Sequence, residues 1–448
     1  MKRTLFMAAL ALSGCISISA QDLPSTWTLE QCISYAIENN IDLKQKTQDL
    51  ESRKVDLSTS RNSWLPNVSA NVGQNLDFGR SPSKTGVIVD QNSTSSSAYL
   101  QMSMPLFDGL KTQNDIAAKK LNLMASIETL NKAKEDLSVN IASYYLQVLY
   151  NKELQKISEM QVALDSDQVS KTELMVKAGK VPTSQLYDIK AQLATDQSSL
   201  TDSRNNVKLA TLDLAQSLEL ERKGIAFDVT APSIEDPVST YLSSILPPDQ
   251  IYNNAVQVKP QIKVQEYMLE SQKKQLKIAK AGYLPKLDLS AYYSNGYYHY
   301  SGTDAVNASF SDQLKQNERK SIGLTLSIPI FDHYTTRNSV RSAQINIRNQ
   351  ELAIENSKKS LYKEIQQAYY NATAAQDKYI ATGKSVEASA TAFSYAKDKY
   401  SAGKSTVFEF NEAKTKYSKS LAEQAQAKYN FIFRAKILDF YNGTPLKL

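Results

Sequence analysis

The chain has 448 residues, with only 14 Gly, 13 Pro, two Cys and two His, and a formal charge of +6. So few breakers favour long regular elements. Two thiols exclude a disulfide framework or a cysteine zinc site, and His299 and His333 cannot build a multi-histidine metal centre. Lys2 and Arg3 contribute to the positive balance, and the remainder is too mild for nucleic acid without a clustered basic face.

Met1 to Ala20 reads as a secretory signal, with Lys2 and Arg3 ahead of the apolar run Leu5–Leu12. Two processing readings stay open. Cleavage after Ala20 leaves Gln21 first, whereas Leu12-Ser13-Gly14-Cys15 resembles a lipobox whose Cys15 is acylated. Cys32 falls in an amphipathic stretch, which favours plain burial. No later stretch holds 18 consecutive apolar residues, so any membrane residence beyond the signal must be as a β-barrel.

The rest is one pattern written twice. Trp64-Leu65-Pro66-Asn67 recurs as Tyr283-Leu284-Pro285-Lys286 at an offset of 219, which also relates Ala36 to Ala255. Met104-Pro105-Leu106-Phe107-Asp108 recurs as Ile328-Pro329-Ile330-Phe331-Asp332 at an offset of 224, as does Ala178-Gly179-Lys180 as Ala402-Gly403-Lys404. Landmarks in the same order predict a duplication. The partition is a first repeat over 21–219, a linker over 220–248 and a second repeat over 249–448.

Each repeat carries two segments of period two. Leu100, Met102, Met104 and Leu106 alternate with polar neighbours, and so do Ile322, Leu324, Leu326, Ile328 and Ile330. Val68, Ala70 and Val72, and Leu287, Leu289 and Ala291, alternate less cleanly. The expected strands are about 65–78, 96–107, 284–298 and 319–331. A soluble sheet with one buried face would read the same way. The strand lengths of about ten residues favour a membrane barrel, and Tyr292, Tyr293, Tyr297, Tyr298 and Tyr300 cluster where interfacial aromatics belong. Pro66, Pro105, Pro285 and Pro329 sit where strand meets helix, a place that tolerates a missing amide donor.

The remainder is helical. Leu123, Leu130, Leu137 and Tyr144 form a heptad row in a helix over 112–178, with Ile127, Ile141 and Val148 alongside. Single helices follow over 183–218 and 249–282, and the second half repeats the scheme over 333–401 and 406–441, its missing partner being a helix over 29–62. Two short helices end to end match one long helix of roughly 100 Å, a geometry suited to a tube.

Together these features resemble the TolC-type outer-membrane efflux factors. The carriers are Leu29-Glu30-Gln31-Cys32 with Tyr35-Ala36, the Leu-Pro strand openings at Pro66 and Pro285, the strand exits at Pro105 and Pro329, and the breaks at Gly179 and Gly403. The resemblance spans Leu29 to Gly443. It implies a mixed α/β membrane protein: a homotrimer whose twelve-stranded barrel, four strands per protomer, continues into a periplasmic α-helical tunnel. It further implies a duct without chemistry or cofactor, working in outer-membrane lipid with a periplasmic adaptor and an inner-membrane pump of RND, ABC or MFS type. The linker would form a belt around the tunnel.

The same resemblance places a periplasmic gate at Glu409 and Glu412, which share a helix face. A trimer would present six such carboxylates. Glu in a first turn also complements the helix dipole, and that reading stays open. Tyr400 matches a tip network in the family, but its acidic partner is Gln185 here and its basic one is Ser405. The turns Gly179-Lys180-Val181 and Gly403-Lys404-Ser405 are where an adaptor would dock, and each Gly also fits a helix C-cap. Gly403-Lys404-Ser405 and Gly383-Lys384-Ser385 lack the upstream glycine and strand of a phosphate loop. The competing readings are a helical coiled-coil scaffold or surface protein of the envelope, and a secreted enzyme, the latter without a nucleophile–base pair.

Overall fold

The computed structural model describes residues 26–82, 86–220, 227–231, 237–238, 245–301 and 307–447. The expected signal segment with Cys15, and most of the expected linker, lie outside these residues.

Strand β1 (Thr26–Trp27) leads into helices α1 (Leu29–Asn39) and α2 (Ile41–Asn62). Strand β2 (Asn67–Asp77), the short pair β3 (Arg80–Pro82) and β4 (Ile88–Asp90), and β5 (Asn92–Phe107) follow. Helix α3 (Lys111–Lys177) turns into α4 (Thr183–Ser217). Beyond β6 (Asp228–Val229) come α5 (Pro248–Val258), α6 (Pro260–Lys280) and β7 (Lys286–Ser301). The chain closes with α7 (Phe310–Gln316), β8 (Arg319–Ser327), α8 (Thr335–Ser401) and α9 (Val407–Tyr441). Elements of the two halves match in length: α3 and α8 have 67 residues each, α4 and α9 have 35 each, and α1 and α5 have 11 each.

The segments 29–62 and 249–282, expected as single helices, are each broken. Asn40 stops α1 with ψ at 130° and its side chain accepts from the Leu43 amide at 3.1 Å, starting α2. Lys259 is held extended by the proline that follows it, the steric rule for a residue before Pro. The two breaks lie 219 residues apart, the offset seen in the sequence. Lys259 is almost fully buried, its ammonium 3.4 Å from the centre of the Phe440 ring and 3.3 Å from a Glu135 carboxylate oxygen.

The four long strands form one antiparallel sheet in the order β2-β5-β7-β8. Their bounds depart from expectation at three places. β5 begins four residues early and pairs with β7 over its whole length, β7 runs on past residue 298 to Ser301, and β8 stops at Ser327, leaving Ile328 to Phe331 outside the ladder. Pro66 and Pro285 stand one residue before β2 and β7. Pro105 lies inside β5 at a register shift, and Pro329 lies two residues beyond β8.

Register fixes the faces. One carries Val68, Val72, Leu100, Met102, Leu289, Ile322 and Leu324; Val72 is 85% and Ile322 81% exposed. The other carries Ser69, Asn71, Gly73, Ser95, Ser97, Gln101, Ser290, Ser321 and Thr325, with Asp77, Lys286, Asp288 and Arg319 near strand ends. The tyrosine cluster is thereby divided. Tyr293 and Tyr297 belong to the apolar face, whereas Tyr292, Tyr298 and Tyr300 belong to the polar one, where Tyr292 meets Tyr99 at 5.7 Å.

Sheet and helices join through one repeated device. Asp108 accepts from the Thr112 amide at 2.8 Å, and Asp332 from the Thr336 amide at 2.8 Å, so each strand-exit aspartate satisfies an open donor of the next long helix. The turn needs two consecutive left-handed residues: Gly109 and Leu110 in one half, His333 and Tyr334 in the other. A second aromatic group gathers here, with Phe331 against His333 and Tyr334.

The helices pack as two hairpins, α3 with α4 and α8 with α9, with α2 and α6 laid along the sheet-side halves of α3 and α8. A central core joins Cys32, Ile141, Val148, Leu214, Phe431 and Ala435. The Tyr145 hydroxyl reaches the Trp27 carbonyl at 3.1 Å, tying the parallel β1–β6 pair to α3. Burial pushes the Cys32 thiol up to about 12, which keeps it inert. Of the heptad rows read from sequence, Leu130, Ile141 and Val148 are buried, but Tyr144 and Ile127 are exposed. A straight α-helix drifts against a strict seven-residue repeat, so the buried stripe shifts.

Gly109 tests the junction. A Cβ there would stand 2.8 Å from the Leu284 Cβ, at a φ of +70°. Gly109→Ala will lower stability by at least about 1–2 kcal/mol, read as a fall in the unfolding midpoint in detergent. Gly179→Ala, with open space around its Cβ, will cost only the conformational part.

Candidate functional site

The hairpin turns are built alike. Gly179 (φ 66°) ends α3, with its amide donating to Val176 and the Lys180 amide to Met175, each at 2.9 Å. Gly403 (φ 70°) ends α8 in the same way, its amide donating to Tyr400 at 3.0 Å and that of Lys404 to Lys399 at 2.9 Å. Paired bonds of this kind satisfy the last carbonyls of a helix and require the left-handed residue that glycine supplies. Lys180 and Lys404 are exposed beyond them, with Val181 and Ser405 half-buried.

Glu409 is turned back onto its own helix start. Its carboxylate accepts from the Ser405 hydroxyl at 2.6 Å and the Thr406 amide at 3.0 Å, while the Thr406 hydroxyl accepts from the Glu409 amide at 3.2 Å. This is a capping box. The Ser405 hydrogen bond, with help from the Thr406 amide, holds the Glu409 carboxyl below its usual range. Glu412 is exposed one turn on. Gln185 is half-buried in the first turn of α4, and its Oε1 is buried without a hydrogen-bond partner. Tyr400 is not in a polar network but in an aromatic cluster, its ring 5.2 Å from Phe410, with Phe393, Val407 and Ile189 around it. The tip residues named from sequence are therefore divided between a cap, a surface and a small core.

Above the tips lies a group the sequence reading missed. Lys414 on α9 is 1% exposed, and its ammonium meets Asp165 of α3 at 2.5 Å and Asp196 of α4 at 2.8 Å. Gln192 donates to the other Asp196 oxygen at 2.9 Å. The second Asp165 oxygen, Oδ2, is buried without a hydrogen-bond partner. Burial, and then the neighbouring Asp196 carboxylate, push the Asp165 carboxyl up to about 6 against the pull of Lys414. Asp196, with more hydrogen bonds, is held below its usual range. The cluster stands roughly 16–25 Å from the turns along the helices. Its signal was present: the row Leu123, Leu130, Leu137 and Tyr144 continues at seven-residue steps to Asp165 and Thr172, and Lys414 follows Val407 by seven. An ionisable residue at a seam position is a buried charge awaiting a partner.

Among the described residues, no group of three or more His, Cys, Asp or Glu is placed to hold a metal ion, and no helix is long and apolar enough to cross a membrane. The arrangement offers surfaces, turns and an internal ion cluster.

Removing Lys414 would leave two carboxylates buried together. Lys414→Met will cost about 3–5 kcal/mol, whereas Thr406→Ala, which removes one cap, will cost about 1 kcal/mol. Denaturant unfolding of both variants gives the comparison.

The profile of a family described as "Outer membrane efflux protein" matches the chain over residues 32–219 and 251–439. Outer membrane protein TolC of Escherichia coli (strain K12) is 22% identical over 439 residues, covering 96% of this chain and 84% of that protein. Two crystal structures share the fold. CusC superposes with a TM-score of 0.75 at 16% identity, covering 93% of this chain and 92% of that one. The Campylobacter jejuni CmeC outer membrane channel superposes with a TM-score of 0.71 at 17% identity, covering 99% and 94%.

Proposed function

This chain belongs to the outer membrane efflux protein family, and we propose that three copies assemble into a duct carrying solutes from a pump–adaptor complex through periplasm and outer membrane. As a family member it is an outer-membrane efflux channel; the trimer, the twelve-stranded barrel, the duplicated repeats and the partners are our reading.

One observation carries it. The sheet has an apolar face open to its surroundings, a polar opposite face, and two outer strands, β2 and β8, each paired on one side only. A sheet of this kind is satisfied in lipid only by closing on further strands, because open edges in hydrocarbon leave backbone groups unpaired. Three protomers of four strands close a twelve-stranded barrel. Aromatic groups at both ends, Tyr293 and Tyr297 at one and Phe331 and Tyr334 at the other, fit the two interfaces. The match of the family profile to two separate spans supports the repeat boundaries at 21–219 and 249–448 with a linker between. The helices below form the tunnel wall.

The glycine turns at Gly179 and Gly403 face the adaptor in this reading, with Lys180, Val181, Lys404 and Ser405 as contacts. An inner-membrane pump of RND, ABC or MFS type supplies the cargo. Glu412, exposed beside the cap, and Glu409 set the charge at the tip constriction, and Tyr400 and Gln185 support the helices that carry them.

Two substitutions one residue apart test the barrel. Leu324→Arg, on the apolar face midway between the two aromatic levels, will impair outer-membrane assembly, at about 2–4 kcal/mol for a mid-bilayer cation. Thr325→Arg, on the polar face, will assemble. Equal tolerance of both by heat-modifiable migration and detergent extraction would sink the barrel. For the tip, planar-bilayer recordings should give a small cation-selective conductance that is larger or less selective in Glu412→Ala. Unaltered selectivity in both Glu412→Ala and Glu409→Ala would remove the gate and keep the duct.

A further inference from the structure

We infer that Asp165, Asp196 and Lys414 form a proton-dependent clasp that fastens the α8–α9 hairpin to the α3–α4 hairpin and so sets how far the tips stand apart. Its bearing on transport rests on the duct reading; the clasp itself does not.

Three observations carry it. The first is position. The cluster joins three helices from both halves of the chain, with Lys414 of one hairpin reaching between the two helices of the other. The second is dryness. The Lys414 and Asp165 side chains are 1% and 2% exposed, Asp196 11%, and the aromatic cluster of Phe393, Tyr400 and Phe410 closes the space toward the tips. The third is charge. Two carboxylates face one ammonium, so with both ionised the cluster holds a buried negative charge.

The hydrogen bonds say where a proton goes. Both Asp196 oxygens are engaged, one by Lys414 and one by Gln192. Asp165 gives Oδ1 to Lys414 and has no partner for Oδ2. A proton on Oδ2 removes the excess charge and turns an unsatisfied acceptor into a donor toward Asp196. Other groups nearby do not compete. Gln168 and Thr172 of α3 and Ser418 of α9 are buried and uncharged. Behind α9, helix α8 contributes Phe393 against Tyr417 and Ser389 against Ser420. The pairs Glu159–Arg204, Asp167–Lys171 and Glu173–Lys190 lie at the surface.

The sign follows from linkage. The folded Asp165 carboxyl titrates at about 6, above its ordinary 3.8. Its contribution is complete below the ordinary value and is lost as pH rises through about 6. Asp196, held low, stays ionised from pH 5 to 8, and Lys414 supplies the cation. The clasp is therefore fast in acid and loosened at neutral pH and above, where separation of the hairpins lets water reach the uncompensated carboxylate.

Hydrogen–deuterium exchange on the full-length protein in detergent, at pH 5 and pH 8 and corrected for intrinsic rates, reads this directly. Segments 160–170, 190–200 and 410–420 should open roughly tenfold more readily at pH 8, while the central core around 141–149 stays unchanged. Asp165→Asn keeps the acceptor for Lys414 and supplies an N–H where the proton would be, so its clasp should stay protected at both pH values. Equal wild-type protection at pH 5 and 8 would overturn the clasp, as would an Asp165→Asn protein that keeps the wild-type pH dependence. The wild-type comparison decides alone if the variant does not fold. Conductance separates the two readings: a conducting protein with pH-independent exchange loses the clasp and keeps the duct, and pH-dependent exchange without conductance does the reverse.

Discussion

A backbone amide in hydrocarbon has no water to turn to, and that constraint shapes this chain more than any side-chain contact. The sheet β2-β5-β7-β8 satisfies its inner ladders and leaves an edge on each side. Its apolar face forbids water and its edges forbid an isolated life in lipid. Much else answers to this. On the near side β5 and β8 lead into the two long helices, each with a first-turn donor that an aspartate has already met. Pro66, Pro285 and Pro329 stand outside the ladder and Pro105 stands at its register shift, places where a missing donor costs little.

Below the sheet the governing requirement is equal length. A 67-residue helix must lie beside two shorter ones that run the same span, and the interruption between the shorter ones has to occur where the β1–β6 pair can cover it. Trp27, Tyr145 and Cys32 fill that level, and Lys259 holds the break by lying over Phe440. A lysine stem is apolar enough to be buried in this way, provided its ammonium finds a ring and a carboxylate.

Much of this could be read from the sequence, because it depends on period and spacing. Alternation found the four strands, and Gly179 and Gly403 found the hairpin turns. What escaped depends on three dimensions. Asn40 and Lys259 break helices with only one cue each, a capping side chain and a following proline, inside stretches that otherwise read as continuous. The tyrosines of β7 looked like one belt because proximity in sequence hides the alternation that sends Tyr292 and Tyr293 to opposite faces. Glu409 could be read as a gate charge or as a first-turn residue complementing the helix dipole, and the Thr406 box that its carboxylate closes is visible only in the folded turn. Asp165, Asp196 and Lys414 are separated by up to 249 positions, and only the packing of α9 onto α3 brings them together.

The polar face of the sheet has a consequence for direction. Ser69, Asn71, Ser95, Ser97, Gln101, Ser290 and Ser321 present hydroxyls and amides with few fixed charges among them. Around the pore proposed above, such a wall neither traps nor repels a passing molecule, and it treats arrivals from either end alike. It therefore cannot rectify a flow. Net movement outward must be imposed upstream, by a gradient or by a partner that spends energy, and the wall contributes only an even, low-friction path once that work has been done.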